Sequence, residues 1–237
     1  MEAVMKSEKE QSGIGFMFTK SSADDIELPG AMRGRACGDG GTLTDSRDST
    51  QYPLTLIGEG EKQQCWMAKN LNYGTRIAGT SEQTDNAVVE KYCYDDTESN
   101  CTTDGGLYQW DEAMQYSTTT GAQGICPSGW HIPTDDEYKT LEKNLGMSQS
   151  DADATGWRGT NEGTKLKVGG SSGFEGVLAG YRGTDGLFHY RGTYAYFWSS
   201  LDSGSSAWSR YLYSNKTTVY RVANNKLYGF SVRCIKD

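Results

Sequence analysis

The chain has 237 residues, with 23 basic against 31 acidic side chains, a formal net charge of −8, and 35% hydrophobic residues. No run of Lys and Arg could form a stripe that tracks phosphates, which argues against nucleic acid and against an anionic membrane as partners. No apolar stretch reaches the roughly 20 residues that a spanning helix needs, and with 30 glycines against four prolines loops and turns should occupy much of the fold.

Residues 1–44 mix charge, Ser and Gly without a sustained period and are expected to be an N-terminal arm, ahead of one domain over 45–237. The opening MEAVMKSEKEQSGIGFMF lacks the apolar core of a signal peptide. Either the sequence is trimmed at this end, or an extracellular, cell-surface or virion destination is reached by another route, such as assembly into a virus particle. Tyr52–Ile57, bounded by Pro and Gly signals, reads as a strand, and Gln64–Leu71 as a second short one. Arg76–Val89 is polar and poorly periodic, which suits a surface loop. Leu107–Tyr116 carries Trp110, Ala113 and Met114 at helical spacing and predicts a first helix. Thr134-Asp135-Asp136-Glu137 matches a capping box after Pro133, Tyr138, Leu141 and Leu145 share one face, and Gly146 can end the turn. This predicts a helix over 134–145. Met147–Thr164 is polar again, and 169–192 alternates glycines with aromatic residues, as short strands and tight loops would.

The last 44 residues, Tyr194–Asp237, hold ten of the chain's 27 aromatic residues, interleaved with Ser, Asn, Thr and Gly. Such a mixture suits a contact surface, because Tyr and Trp give rigid contact area while Ser and Asn give adaptable hydrogen bonds. It also reads as amphipathic strands. Alternation sets Trp208, Arg210 and Leu212 opposite Ser209, Tyr211 and Tyr213, and Phe230, Val232 and Cys234 opposite Ser231, Arg233 and Ile235. Asn224-Asn225 is expected to be a hairpin turn. One face would then be core and the other exposed.

Six cysteines occur, none in a CxxC pair or beside a His at metal-ligand spacing, so disulfides are favoured over zinc. Six allow 15 pairings, and the sequence alone does not choose among them. The expected set is Cys93 with Cys101 across the acidic segment YDDTESN, Cys126 with Cys234, and Cys37 with Cys65. If formed, they place the protein outside a reducing cytoplasm.

Catalytic signals are weak. His131, in Gly-Trp-His-Ile-Pro, has no nucleophile or metal partner nearby in sequence, and His189 lies between Phe188 and Tyr190 as a packed or rim residue would. The carboxylates of Asp135, Asp136 and Glu137 fall in a first helical turn, where the helix dipole favours them. Those of Asp95, Asp96 and Glu98 fit a solvated loop. Glycine-rich 169–176 lacks the Lys-Ser/Thr of a phosphate loop. No catalytic residue, metal or cofactor is expected.

Several blocks carry a family resemblance. Cys126-Pro127-Ser128-Gly129-Trp130-His131-Ile132-Pro133-Thr134, then Tyr196-Phe197-Trp198-Ser199-Ser200, then Gly229-Phe230-Ser231-Val232-Arg233-Cys234 resemble the signature blocks of the Fibrobacter-succinogenes-major paralogous domain family. Trp66-Met67-Ala68-Lys69-Asn70-Leu71-Asn72-Tyr73 and Leu107-Tyr108-Gln109-Trp110 fit it as well, so the likeness covers about 45–237. It implies an α+β, C-type lectin-like fold with two short helices, a small antiparallel sheet, long loops and its two ends close together, in an extracellular or surface setting. It does not imply sugar binding. The Glu-Pro-Asn or Gln-Pro-Asp and Trp-Asn-Asp triplets of calcium-dependent lectins are absent, and no calcium site is carried over.

The chain is similar also to a narrower group, the variable proteins of diversity-generating retroelements. These end in a stretch whose template is rich in Asn codons with randomised adenines. Where that group reads VNRNNNNKSNGFSVRC, residues 219–234 depart at Tyr220, Val222, Ala223, Leu227 and Tyr228, and Tyr, Val and Ala are reachable from an Asn codon. The resemblance therefore implies a variable ligand surface over Asp202, Ser203, Ser205, Ser209, Tyr211, Tyr213, Asn215, Tyr220, Val222, Ala223, Asn224, Leu227 and Tyr228. Trp198, Leu212, Val219, Phe230 and Val232 should be buried beneath it. The expected activity is non-enzymatic binding of a protein or cell-surface ligand. The alternatives are a structural surface protein or adhesin with a fixed ligand and, on a related fold, a formylglycine-generating type of enzyme, which would need a reactive cysteine pair.

Overall fold

The alternating stretches of the C-terminal third become the strands of the sheet around which the other elements pack. The computed structural model describes Cys37 and residues 41–237, so most of the expected arm over 1–44 lies outside the described residues. Strands β1 (Thr42–Thr44), β2 (Gln51–Ile57) and β3 (Gln64–Met67) are followed by β4 (Thr75–Arg76), β5 (Glu90–Lys91), helix α1 (Glu98–Asp104), β6 (Leu107–Tyr108) and α2 (Trp110–Ala113). Then come β7 (Trp130–His131), α3 (Asp135–Asn144), α4 (Gln149–Asp153), β8 (Gly156–Arg158), α5 (Glu162–Leu166), β9 (Tyr181–Arg182) and β10 (Phe188–His189). The chain closes with β11 (Tyr194–Ser203), β12 (Ser206–Tyr213), β13 (Val219–Asn225), β14 (Phe230–Ser231) and β15 (Ile235–Lys236).

The six-stranded sheet has the order β6-β14-β11-β12-β13-β8, antiparallel throughout except for the parallel pair β11 and β14. A five-stranded antiparallel sheet, β1-β2-β3-β15-β7, joins the beginning of the described domain to its end: Ile235 lies opposite both Trp66 and His131. The class is α+β, as expected. All three expected disulfides are present, with Cα separations of 5.7 Å for Cys37–Cys65, 5.0 Å for Cys93–Cys101 and 5.9 Å for Cys126–Cys234.

The capping box forms as read. The Thr134 N–H donates to Glu137 Oε2 (2.8 Å) and the Glu137 N–H to Thr134 Oγ1 (3.1 Å), and α3 begins at the next residue. Other local expectations need correction. Five short helices occur among the described residues rather than two. The acidic segment between Cys93 and Cys101 is not wholly loop, since α1 starts at Glu98. The helix expected over Leu107–Tyr116 shrinks to α2, because Leu107 and Tyr108 are claimed by Ser231 and Phe230 in β6–β14 pairing, and Gln115 and Tyr116 turn to positive φ. Asn224 and Asn225 are not a turn either. They are the last residues of β13, opposite Ala207 and Ser206, and the following strand β14 pairs with β6 and β11 rather than returning along β13.

The sheet separates two hydrophobic clusters. One contains Trp110, Trp198, Phe230, Val232 and the Cys126–Cys234 bridge; the other contains Trp66, Tyr138, Leu141, Phe174, Phe197, Leu212 and Val219. Trp198, Leu212, Val219, Phe230 and Val232 are all buried, as the alternation required. Each such side chain contributes roughly 1.5–3 kcal/mol by leaving water.

Candidate ligand-binding surface

Successive side chains of a strand point to opposite faces, and cross-strand register tells which residues meet. Arg210 lies opposite Phe197 and Arg221, Leu212 opposite Ala195, and Trp208 opposite Ala223; these define the face toward α3. Tyr211 lies opposite Tyr196 and Tyr220, Tyr213 opposite Tyr194, and Tyr220 opposite Trp157; these define the other face.

The α3 face is pinned by buried charge. Arg210 donates to Asp135 Oδ1 (2.8 Å) and Glu142 Oε1 (2.8 Å), and Arg221 donates to Asp135 Oδ1 (2.9 Å) and Oδ2 (2.7 Å). Arg158 on β8 donates to Glu142 Oε1 (2.9 Å), and the Arg221 guanidinium lies 3.9 Å over the Trp208 ring. Burial opposes ionisation of Asp135, but Arg221 and Arg210 outweigh it and hold its carboxyl well below the usual range. Three neighbouring strands, β8, β13 and β12, are thereby tied to one helix without using any side chain of the opposite face.

That opposite face is a continuous aromatic array. Tyr194 stacks on Tyr213 with ring centroids 4.3 Å apart and planes within 3°, and Tyr211 stacks on Tyr220 at 5.2 Å. Trp157 meets Tyr220 at 5.0 Å, Tyr196 meets Tyr211 at 4.3 Å, and Tyr190 meets Tyr194 at 5.5 Å. Tyr181 carries the array past β11, touching Tyr196 at 4.9 Å and Tyr228 at 5.5 Å. Phe230 lies beneath Tyr196 and Tyr228, so the array grows out of the core and opens toward Trp157 and Tyr190, which are exposed. Burial pushes the Tyr196 and Tyr211 hydroxyls up, so they stay protonated at neutral pH. The array presents phenol and indole groups with no charged member.

The expected surface residues divide. Tyr211, Tyr213, Tyr220, Val222, Asn224 and Tyr228 are on the aromatic side or join it, all half-buried. Leu227 is 49% exposed beside Tyr228, and Asn215 is exposed in the turn after Tyr213. Ala223 points the other way, because it neighbours Val222 in a regular strand and pairs with Trp208. Ser209 is on the aromatic side but fully buried, donating to the Val222 carbonyl (3.1 Å) and accepting from Asn224 Nδ2 (2.8 Å). Asp202, Ser203 and Ser205 are at the β11–β12 turn, the hairpin end remote from the Tyr194–Tyr213 pair. There Asp202 accepts from Lys226 Nζ (3.0 Å) and from the Gly204 N–H (2.7 Å), a structural use.

Five aromatic members were not among the residues expected on this surface. Tyr194 and Tyr196 alternate visibly in YAYFW, and Tyr190 joins them through a local turn, its carbonyl accepting from the Tyr194 N–H (3.0 Å), but Trp157 and Tyr181 reach the array only through pairing with residues distant in sequence.

Other candidates explain themselves structurally. His131 Nδ1 is 2.7 Å from Asp237 Oδ1 and its Nε2 is 2.9 Å from Glu137 Oε1, a clamp on the C-terminal strand rather than a nucleophile's base. Among the described residues no group of three or more His, Cys, Asp or Glu could hold a metal ion. Shallow clefts of about 200 Å³ beside Glu137 and Ile235, about 430 Å³ beside Lys167 and Val168, and about 450 Å³ beside Tyr73 and Val88 lie off the aromatic array.

A family model described as the Fibrobacter succinogenes major domain matches residues 62–236. No curated protein and no solved structure matches the chain.

Proposed function

The chain belongs to the Fibrobacter succinogenes major domain family, and on that premise we propose that it is a non-enzymatic binding protein of C-type lectin-like fold, using the aromatic face of β8, β13, β12 and β11 to hold a protein or cell-surface ligand. The observation that carries the reading is the division of the sheet: buried charge and the closed packing of Phe197, Leu212 and Val219 anchor one side, while the other gathers nine Tyr and Trp side chains that widen toward solvent. Rigid aromatic groups bearing hydroxyls lose little entropy on contact and are the commonest anchors of recognition surfaces. The lectin-like assignment is supported by the closing strand β15, seated between β3 and β7, and by the long connections that surround the sheet.

Diversification by a retroelement fits the same division. Tyr220, Val222 and Tyr228, which depart from the Asn-rich pattern, sit on or beside the aromatic face, whereas Val219 and Arg221, on either side of Tyr220, are fixed in the core. Ala223 breaks the pattern. Three disulfides, together with the lack of any helix among the described residues long and apolar enough to cross a membrane, agree with an extracellular setting.

A specific observation favours the structural alternative: Tyr196 is buried and the rings stack on one another, so part of the array is packing. The gene's neighbourhood separates the two. A reverse transcriptase beside a near-copy of the gene's 3′ end, differing mainly at adenines in codons for outward residues, is the expected finding. A lone gene whose relatives differ equally on both faces of the sheet would refute diversification.

A further inference from the structure

Arg182, in the two-residue strand β9, is 1% exposed, yet among the described residues no buried carboxylate pairs with it. Its carboxylate partner among the described residues, Glu82 Oε1 at 2.8 Å, belongs to a side chain 51% exposed. The remaining donors go to backbone: Nε to the Gly79 carbonyl (2.8 Å), Nη2 to the Ser81 carbonyl (3.3 Å) and Nη1 to the Leu227 carbonyl (3.3 Å). Burying a guanidinium is costly, and an apolar residue of similar volume would fill the site at least as favourably. What the planar fork does, and an apolar residue cannot, is join carbonyls of two distant segments in one fixed geometry.

One of those carbonyls belongs to the exposed end of the aromatic face. Leu227 O also accepts from Gln109 Nε2 (3.1 Å), and Gln109 is itself 5% exposed and donates to Glu82. On the backbone, Arg182 and Gly229 exchange both hydrogen bonds (3.0 and 2.9 Å). The approach is close enough that a Cβ on Gly229 would stand 2.9 Å from Arg182 Cβ. With its carbonyl drawn inward, residue 227 turns its side chain to solvent, and Tyr228 is left to lie on Phe230 (5.6 Å, planes within 9°).

We propose that Arg182 is the positioning residue of the ligand face: by holding the Leu227 carbonyl against the 79–82 segment, it presets the Asn225–Gly229 segment and fixes where Leu227 and Tyr228 stand before any ligand arrives. The proposal rests on the reading of the aromatic face as the binding surface, but its test needs no ligand. A preset segment loses less freedom on binding, which is how affinity survives when individual side chains change.

Amide hydrogen exchange of the full chain, compared with Arg182→Lys, tests it. Lys keeps the charge and the stem but carries all its donors on one nitrogen, which cannot stand in for the three guanidinium nitrogens that separately reach the Gly79, Ser81 and Leu227 carbonyls. The expected result is exchange at least tenfold faster at Tyr228 and Gly229, with Leu212 and Val222 changed less than twofold. Unchanged exchange at Tyr228 and Gly229, or equal acceleration at all four, overturns it. If the Lys variant does not fold, Arg182→Met, an apolar side chain of similar length that makes none of these bonds, takes its place; the same local acceleration at Tyr228 and Gly229 is then required, and its absence overturns the proposal. Failure of the binding reading would leave these exchange rates untouched, so the two can fail separately.

Discussion

Removing the Asp135 carboxylate should loosen the strands that carry the aromatic face, although no atom of Asp135 reaches that face. Its two oxygens accept three guanidinium hydrogen bonds of 2.7–2.9 Å, and the side chain is 4% exposed. In Asp135→Ala, Arg210 retains Glu142, but Arg221 keeps, among the described residues, the Asp153 and Ala154 carbonyls at 3.2 and 3.3 Å and the Trp208 ring, with no carboxylate. One buried guanidinium without its counter-charge costs about 3–5 kcal/mol, and loss of an acidic group from the first turn of α3 adds up to about 1 kcal/mol. Urea unfolding should therefore show a destabilisation of about 3–6 kcal/mol. The pH dependence gives a second reading. Because the folded carboxyl titrates below its ordinary value near 3.9, its contribution is fully present above that value and is lost as pH falls through the folded value. Wild-type stability should fall as the pH is lowered below about 4, and Asp135→Asn should show a flatter profile there. A loss under about 1 kcal/mol, within the range of surface ion pairs, would refute the claim that this cluster anchors the sheet.

Tyr213→Ala should cost only about 0.5–1.5 kcal/mol, the worth of a half-exposed aromatic pair, whereas Phe230→Ala should cost about 3–5 kcal/mol as a large core truncation; equal losses by urea unfolding would make the array core. Replacing Cys126 and Cys234 by Ser opens a link between residues 108 apart and should remove up to about 4–5 kcal/mol in the chain-entropy picture, measured by the same unfolding. Burial opposes protonation of His131, but Glu137 and Asp237 outweigh it and raise its pKa, so the clamp's contribution is fully present below about 6.5 and is lost as pH rises through the folded value. His131→Gln should abolish that decline in a pH series of melting temperatures, and an unchanged slope would show that the clamp contributes nothing.

Local signals in the sequence translated directly. The capping box at Thr134 and Glu137 starts α3 within one residue of expectation, and alternation turned Leu212 and Val219 inward, because period-two patterning and capping depend only on neighbours in the chain; over 230–235 it did not hold, since Ser231, Arg233 and Ile235, expected opposite the core face, are as buried as Phe230 and Val232. What depended on distant partners was not legible. Asn224-Asn225 has turn chemistry, yet the pairing of Ala207 and Ser206 keeps it extended. Ser209 resembles a surface serine, but its bonds to Val222 and Asn224 draw it inside. Within the Gly-rich 169–192 stretch, nothing local distinguishes Arg182, whose partners are at 79–82 and 227, or Tyr181, whose partners are Tyr196 on β11 and Tyr228. The side on which each residue of 219–228 falls follows from register, and one residue of shift reverses every assignment.

Photo-cross-linking tests the central claim most directly. Benzoylphenylalanine placed at Tyr213 or Tyr190, on the aromatic face, is compared with the same group at Lys143, exposed on α3, after incubation with intact cells from the protein's own surroundings. The account predicts covalent adducts to a discrete surface component from positions 213 and 190 and none from 143. Adducts from 143 alone, or none from either face position while the protein remains folded, would contradict it.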